Sequence, residues 1–325
     1  MATYLVTGGA GFIGSHLVEE LIRRVDTVRV LDDFSTGKWE NLLEFHGKFE
    51  LFVGSVTDLD VCRKAVRGVD YVLHQAALGS VPRSVEDPIT THRVNVDGTV
   101  NILWAAKEAG VRRVVLAGSS SSYGDTPVLP KVEDMPARPR SPYAVSKYAI
   151  EHYARVFAEL YGLSTLVLRY FNVFGPRQNA DSQYAAVIPR FVSALLTGGR
   201  PVIFGDGEQT RDFTYVKDCV QANLLAAAAE GVDGEVFNVA GGRRVSINHV
   251  YQEIASQLGS DVQPKYKPPR HGDVRDSLAS IEKARLKLGC EPRYSLADGL
   301  AETIAWYRSY FTTAGRPVPF ALTDK

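Results

Sequence analysis

The chain has 325 residues, enough for a large core and one or two domains, and its 37 basic and 37 acidic side chains balance, which removes the electrostatic footing for a nucleic-acid or membrane-surface partner. No apolar run approaches the roughly 18 residues of a membrane span, and the start enters a strand with no basic leader or cleavage site, so a cytoplasmic protein acting on a small molecule is expected. Cys62, Cys219 and Cys290 are odd in number and far apart, and the seven histidines form no His-Glu-x-x-His, so neither a disulfide frame nor a metal site is indicated.

Thr3 to Thr7 reads as a short strand, and Gly8-Gly-Ala-Gly11-Phe12-Ile13-Gly14 follows at once, ahead of a helix over Ser15 to Arg24. Strand, glycine-rich turn and helix form the setting in which backbone approaches a pyrophosphate and a helix N-terminus meets its charge. A second apolar strand, Thr27 to Leu31, ends in Asp32, about 20 residues downstream, where a carboxylate takes the adenosine ribose hydroxyls and repels a 2′-phosphate. NAD is thereby favoured over NADP, with Asp33 and the loop Phe34-Ser35-Thr36-Gly37-Lys38 beside it. The alternation continues with a strand over Phe49 to Val53, a helix from Asp58 to Val66, a strand Tyr71 to His74, a helix Arg93 to Ala109 and a strand Arg113 to Ala117. Such alternation predicts an α/β fold with a doubly wound, Rossmann-like parallel sheet. Two predicted strand ends fall at its ligand-binding edge: His74-Gln75-Ala76-Ala77, and Ser119-Ser120-Ser121-Ser122-Tyr123-Gly124.

Ser141-Pro142-Tyr143-Ala-Val-Ser-Lys147 opens a helix running to Tyr161, with proline in the first turn. Tyr143 and Lys147 are one turn apart on one face, so an ammonium stands where it favours the phenolate and makes the tyrosine a base. From Phe171 the alternation breaks into shorter helices over Ala185 to Thr197, Asp218 to Ala229, Ile247 to Leu258 and Ile281 to Leu288. The chain is expected to return to the sheet at Thr214 to Val216 and Val236 to Ala240. Residues 1–170, with about 213–243, then form the NAD-binding domain, and 171–212 with 244–325 form a smaller, interleaved substrate domain.

Thr7-Gly8-x-x-Gly11-x-x-Gly14, His74-Gln-Ala-Ala77, Asn95, Ser119 before Tyr123-Gly124, and Tyr143-x-x-x-Lys147 together look like an extended short-chain dehydrogenase/reductase. Arg169-Tyr-Phe-Asn172-Val-Phe-Gly175-Pro-Arg177 and Arg211-Asp-Phe-Thr-Tyr-Val-Lys-Asp218 resemble that family's nucleotide-sugar branch. Closer still, His74 to Ser84, Tyr184-Ala-Ala-Val-Ile-Pro189 and Gly272-Asp-Val-Arg275 resemble the bacterial UDP-N-acetylglucosamine 4-epimerases. The likeness runs from the first strand to about Leu288. It implies Ser119, Tyr143 and Lys147 as catalytic residues, and adds Ser55, Val56, Gln75, Ala76, Ala77, Asn95 and Tyr170 to the contacts of NAD. Where that group usually places Asp against the adenine this chain has Ser55, which leaves Asp58 as an alternative contact.

For the substrate, the same resemblance implies a UDP-sugar. Arg211 and Arg270 would grip the diphosphate with Asn172, Val187 with the Phe204-Gly205 turn would enclose uridine, and Asp273 would hold a ribose hydroxyl. Gly79, Ser80, Ser120, Ser121, Gln178 and Ala186 would line the sugar cavity. Ser277 matches a position that is bulky in enzymes restricted to plain hexoses, and a serine there leaves room for a 2-acetamido group. The implied reaction interconverts UDP-N-acetylglucosamine and UDP-N-acetylgalactosamine by oxidation and re-reduction at carbon 4. A UDP-glucose 4-epimerase is the alternative, followed by a UDP-glucuronate 4-epimerase and a non-catalytic NAD-binding protein. The 4,6-dehydratases carry Asp-Glu after the residue matching Ser119, and here Ser120 and Ser121 follow, so elimination lacks its proton donor. Apolar residues on a second face of the Arg93 to Ala109 and Tyr143 to Tyr161 helices fit a homodimer built on a four-helix contact.

Overall fold

The computed structural model describes residues 1–180, 186–269 and 275–313. In the first half the elements are β1 (Thr3–Thr7), α1 (Phe12–Arg23), β2 (Thr27–Asp32), β3 (Glu50–Val53), α2 (Leu59–Val66), β4 (Tyr71–His74), α3 (Val81–Glu86), α4 (Pro88–His92), α5 (Gly98–Ala109), β5 (Arg113–Ser119), α6 (Pro142–Tyr161) and β6 (Thr165–Tyr170). After them come β7 (Val173–Phe174), α7 (Val187–Leu196), β8 (Val202–Phe204), β9 (Thr210–Asp212), β10 (Thr214–Tyr215), α8 (Val216–Ala228), β11 (Glu235–Val239), β12 (Arg244–Ser246), α9 (Ile247–Leu258), β13 (Lys265–Lys267), α10 (Glu282–Leu288) and α11 (Leu296–Thr313).

Seven strands form one parallel sheet in the order β11, β6, β5, β4, β1, β2, β3. Its central strands are buried on both faces, as in Thr165–Tyr170, where every residue is covered, so they read as continuous apolar runs rather than as alternation. Helices α1 and α8 cover one face through Leu17, Leu21, Val220 and Ala226, and α2, α5 and α6 cover the other through Cys62, Ile102, Ala154 and Phe157. The order reverses at β1, whose neighbours are β2 and β4, and the crevice beyond their carboxyl ends is where such sheets bind ligands.

The sheet therefore follows the expected α/β plan, and the departures have local causes. The helix expected from Arg93 starts with a π turn over Arg93–Asp97, and two short helices, α3 and α4, precede it. Thr214–Tyr215 does not rejoin the main sheet. It pairs in parallel with Val173–Phe174, because Asn172, at φ 34°, bends the chain away from the sheet after β6. Residues 236–239 do rejoin it, within β11 at the edge beside β6.

A third cluster of buried residues gathers Phe174, Phe191, Tyr215, Tyr251, Ile254, Leu300 and Tyr307, and so places β7, α7, β10, α9 and α11 around a core of their own. The sequence reading did not mark α11. It docks at Gly299, where an added Cβ would lie 2.7 Å from both the Phe174 and the Tyr215 rings. Helix propensity alone favours alanine there by about 1 kcal/mol. Overpacking against two buried rings costs about 1–3 kcal/mol, so Gly299→Ala is expected to lower the urea midpoint of unfolding. A raised midpoint would show that α11 does not dock through this contact.

Candidate active site

The turn between β1 and α1 is closed to side chains. A Cβ on Gly14 would lie 2.1 Å from the Gly8 carbonyl oxygen, and one on Gly8, at φ +67°, would lie 2.8 Å from the amide nitrogen of Ala76. Gly11 differs: its Cβ would meet the Gly8 oxygen at 3.0 Å and nothing else within 4 Å, which is open space in front of the α1 N-terminus. Asp32 ends β2 at 7% exposure, with Oδ2 accepting the Ala10 amide at 2.9 Å and Oδ1 the Phe34 amide at 2.8 Å. Burial raises its pKa, and each oxygen keeps a lone pair for a further donor. Asp33, Ser35 and Thr36 are exposed in the adjoining loop, and Gly37 packs against the Asp32 carboxylate. The Lys38 ammonium lies 5.9 Å over the Tyr310 ring. A glycine cradle with open space before it and a carboxylate at its far end fit a dinucleotide with a free ribose.

Several residues expected at the cofactor have side-chain partners within the chain. Asn95, on the π turn, is 1% exposed; its Oδ1 accepts the Leu78 amide at 2.8 Å, and its Nδ2 donates to the Leu78 carbonyl at 3.3 Å and to Ser146 Oγ at 3.0 Å. Its amide is spent on tying the loop after β4 to α6. Gln75 Nε2 donates to Asn223 at 3.1 Å and its Oε1 accepts the Tyr170 hydroxyl at 3.3 Å. Ser55 Oγ accepts from Thr57, Val56 is buried against Gly98, and Asp58, the alternative adenine contact, caps α2 through Oδ1 to the amides of Asp60 and Val61. Phe12 and Ile13 pack toward the third cluster.

The residues expected to handle the proton meet at the end of β5. Ser119 is the last residue of that strand, and the 3₁₀ turn Ser120–Tyr123 follows it. Ser141 caps α6 by accepting the Ala144 amide at 3.1 Å and Pro142 occupies the first turn, so Tyr143 and Lys147 are delivered one turn apart. Tyr143 hydrogen-bonds Ser119. Ser119 Oγ also accepts the Ser121 amide at 3.2 Å and lies 2.8 Å from the Ser121 hydroxyl. Lys147 is 5% exposed and donates to the Ala117 carbonyl at 2.8 Å; burial lowers its pKa to about 8.

Tyr143 itself departs from the expectation of a lowered phenol: burial raises it, and the Ser119 bond opposes that rise. In the chain by itself desolvation wins, so ionisation at working pH calls for additional positive charge. Near the pair, His74 is held neutral, its pKa lowered to about 3 by burial and by Lys147, between Thr7 at 2.7 Å and Thr99 at 3.0 Å.

A cavity of about 230 Å³ opens between α7, β8 and β9. It brings together Asn172, Ala186, Val187, Phe204 and Arg211 from the expected substrate residues, and adds Arg190, Gln209 and Phe213. Arg211 Nη1 donates to the carbonyls of Thr210 and Arg275, both at 2.9 Å. Asn172 Nδ2 donates to the Asp212 carbonyl at 2.8 Å and to Ser277 Oγ at 3.3 Å, which puts Ser277 beside the cavity. Gln178 turns Nε2 to the Val173 carbonyl at 2.9 Å, and Ser80 caps α3 with Gly79 exposed before it. Arg270 and Asp273 lie outside the described residues.

The sequence profile of the NAD dependent epimerase/dehydratase family matches residues 4–240. The chain belongs to that family. UDP-glucose 4-epimerase of Mycolicibacterium smegmatis is 42% identical over 309 residues, which span 94% of this chain and 98% of that protein. Among solved structures, UDP-N-acetylglucosamine 4-epimerase from Methanobrevibacter ruminantium, in complex with UDP-N-acetylmuramic acid, superposes with a TM-score of 0.91 at 42% identity, covering 95% of this chain and 99% of that one. UDP-glucose 4-epimerase from Thermotoga maritima with UDP-glucose superposes at 0.90 with 40% identity, covering 95% and 99%.

As a member of the NAD dependent epimerase/dehydratase family the chain takes NAD as its cofactor, and the glycine cradle with Asp32 would hold it. Sequence reasoning missed Arg190, which lies one turn from Val187 and carries its guanidinium 6.0 Å over the Phe204 ring. The helical spacing was the available signal. It also missed Asp212, fully buried, with Oδ2 accepting the Ala279 amide at 3.0 Å and burial raising its pKa to about 7. No local pattern sets that carboxylate apart from an exposed one.

The space in front of Gly11 gives a direct test. Gly11 has ordinary extended backbone, φ −77° and ψ −179°, so Gly11→Ala is expected to fold with a stability change under about 1 kcal/mol. Its NAD⁺ affinity is expected to fall at least about tenfold, a difference of about 1.4 kcal/mol, when read by calorimetric titration. Unchanged affinity would place the dinucleotide elsewhere.

Proposed function

We propose that the protein is an NAD-dependent UDP-sugar 4-epimerase whose preferred pair is UDP-N-acetylglucosamine and UDP-N-acetylgalactosamine. The observation that carries this reading is the convergence of Ser119, Tyr143 and Lys147 at the carboxyl edge of the sheet, between a dinucleotide cradle and a nucleotide-sized cavity. Relatives named as UDP-sugar 4-epimerases along nearly the full chain support it.

Bound NAD⁺ supplies reversible acceptance of hydride from a carbinol carbon. The chain supplies the proton chemistry. Tyr143, as phenolate, removes the proton of the sugar 4-hydroxyl; Ser119 donates to the same oxygen and relays. Lys147, whose pKa burial lowers to about 8, offsets the phenolate charge in its protonated form. Inversion then needs the 4-keto sugar to present its other face, turning about a diphosphate held by Arg211, and Tyr143 to return the proton. Ser120 and Ser121 follow Ser119 where an eliminating enzyme needs an acid.

The acetamido preference rests on Ser277, whose small side chain accepts from Asn172 and from the Asp212 amide, both at 3.3 Å. The exposed stripe Val145, Tyr153, Val156 and Leu160 along α6 supports pairing with a second copy, with sedimentation at twice the chain mass as the expected result and monomer mass as the contrary one.

Incubation with each UDP-sugar, with products resolved chromatographically, tests the reading. Tyr143→Phe is expected to lower turnover at least about 10²-fold while UDP binding stays within twofold or so, and wild-type turnover in that variant would remove Tyr143 from the reaction. Ser277→Tyr is expected to abolish conversion of acetamido sugars and to spare UDP-galactose. Equal loss on both would show that position 277 is not a size gate.

A further inference from the structure

Glu151 lies on α6 one turn beyond Lys147, and Arg169 lies on β6 opposite Gly118 of β5. Each side chain is 5% exposed, and they meet as a fork, with Nε donating to Oε1 at 2.8 Å and Nη2 to Oε2 at 2.6 Å. Two neighbours come from the turn that begins at Ser119. Ser122 Oγ donates to Glu151 Oε1 at 3.3 Å, and the Arg169 guanidinium lies 4.6 Å over the Tyr123 ring, whose hydroxyl donates to Asn238 at 2.7 Å. The third guanidinium nitrogen, Nη1, donates to the Glu133 carbonyl at 3.2 Å.

Stripping both charges of water is costly, and an apolar pair of similar volume often holds a fold as well or better. An apolar pair lacks direction, because it packs at a range of offsets. A bidentate fork admits one.

We propose that the Glu151–Arg169 pair is a positioning device for the proton relay, fixing α6, and with it Tyr143 and Lys147, against the turn that carries Ser119. This rests on the reading of Ser119 and Tyr143 given above. Proton transfer between the two hydroxyls needs about 2.6–3.2 Å, and a displacement of about 1 Å costs about 10²-fold in rate. Apolar contacts between α6 and the sheet, such as those of Ile150, Ala154 and Phe157, tolerate sliding, and the other polar ties, Lys147 to the Ala117 carbonyl at 2.8 Å and Thr165 Oγ1 to the Ala154 carbonyl at 2.6 Å, are single bonds without the fork's two-point geometry. Glu151 touches both halves of the relay: its own helix carries Tyr143 two turns back, and its carboxylate takes a hydroxyl from the Ser119 turn.

The test is the double variant Glu151→Met/Arg169→Met, which removes both charges and strands neither, with Glu151→Asp beside it, which keeps both charges and shortens the arm by one methylene. In the double variant, affinities for NAD⁺ and UDP are expected within twofold or so of wild type, with kcat on the UDP-sugar down about 10- to 100-fold and KM little changed. The acid limb of kcat against pH is expected to move upward, because the Ser119 bond that lowers the phenol is stretched. Glu151→Asp is expected to show the same split with a smaller loss.

Wild-type kcat and an unmoved pH limb in either variant overturn the proposal. So does a loss shared equally by kcat and both affinities, as a loosened fold would give. A wild-type protein without turnover on any UDP-sugar removes the functional reading and this inference together. Turnover that is equal in wild type and variants removes the positioning role alone.

Discussion

A lysine ammonium buried to 5% exposure beside a largely desolvated phenol is the constraint on which the site depends. Burial moves both groups toward neutrality, Lys147 down to about 8 and Tyr143 upward. The hydrogen bond from Ser119 opposes the rise at Tyr143. His74 stays neutral between two threonines and adds no competing charge.

The fold serves that pair by bringing unrelated segments to one edge. Parallel strands end together, so the glycine turn after β1, the small residues after β4 and the serine turn after β5 share the carboxyl side of the sheet. The break at Asn172 then sends the chain out of the sheet to build a second core, and a cavity of about 230 Å³ forms between α7, β8 and β9. Asn172 belongs to both regions, since it bends the backbone and donates to Ser277 and to the Asp212 carbonyl.

Much of this was legible because it is local. Gly8 to Gly14, Asp32, Pro142, Tyr143 and Lys147 act through neighbours a turn or a strand away, and spacing along the chain reports such relations. The main-sheet strands expected as far as Ala117 fall where alternation and apolar runs place them. Long-range partnerships were not legible. Expected as cofactor contacts by resemblance, Asn95 also bonds Leu78 and Ser146, and Asp58 also caps a helix, which spacing along the chain does not report. Glu151 resembles an ordinary surface charge in the sequence, Arg169 and Asp212 stand in motifs that assign them no role, and only tertiary packing buries the three. The Thr214 strand pairs with Val173–Phe174 because of a backbone bend at Asn172 that no apolar pattern records.

The central claim is that one proton-handling tyrosine and one retained cofactor oxidise and restore the same carbon within a closed site. A UDP-sugar carrying deuterium at carbon 4 tests it directly, with mass spectrometry of both sugars at equilibrium in ordinary water. The account predicts that the label stays on carbon 4 of substrate and product alike. Exchange of that label with solvent during conversion would contradict it.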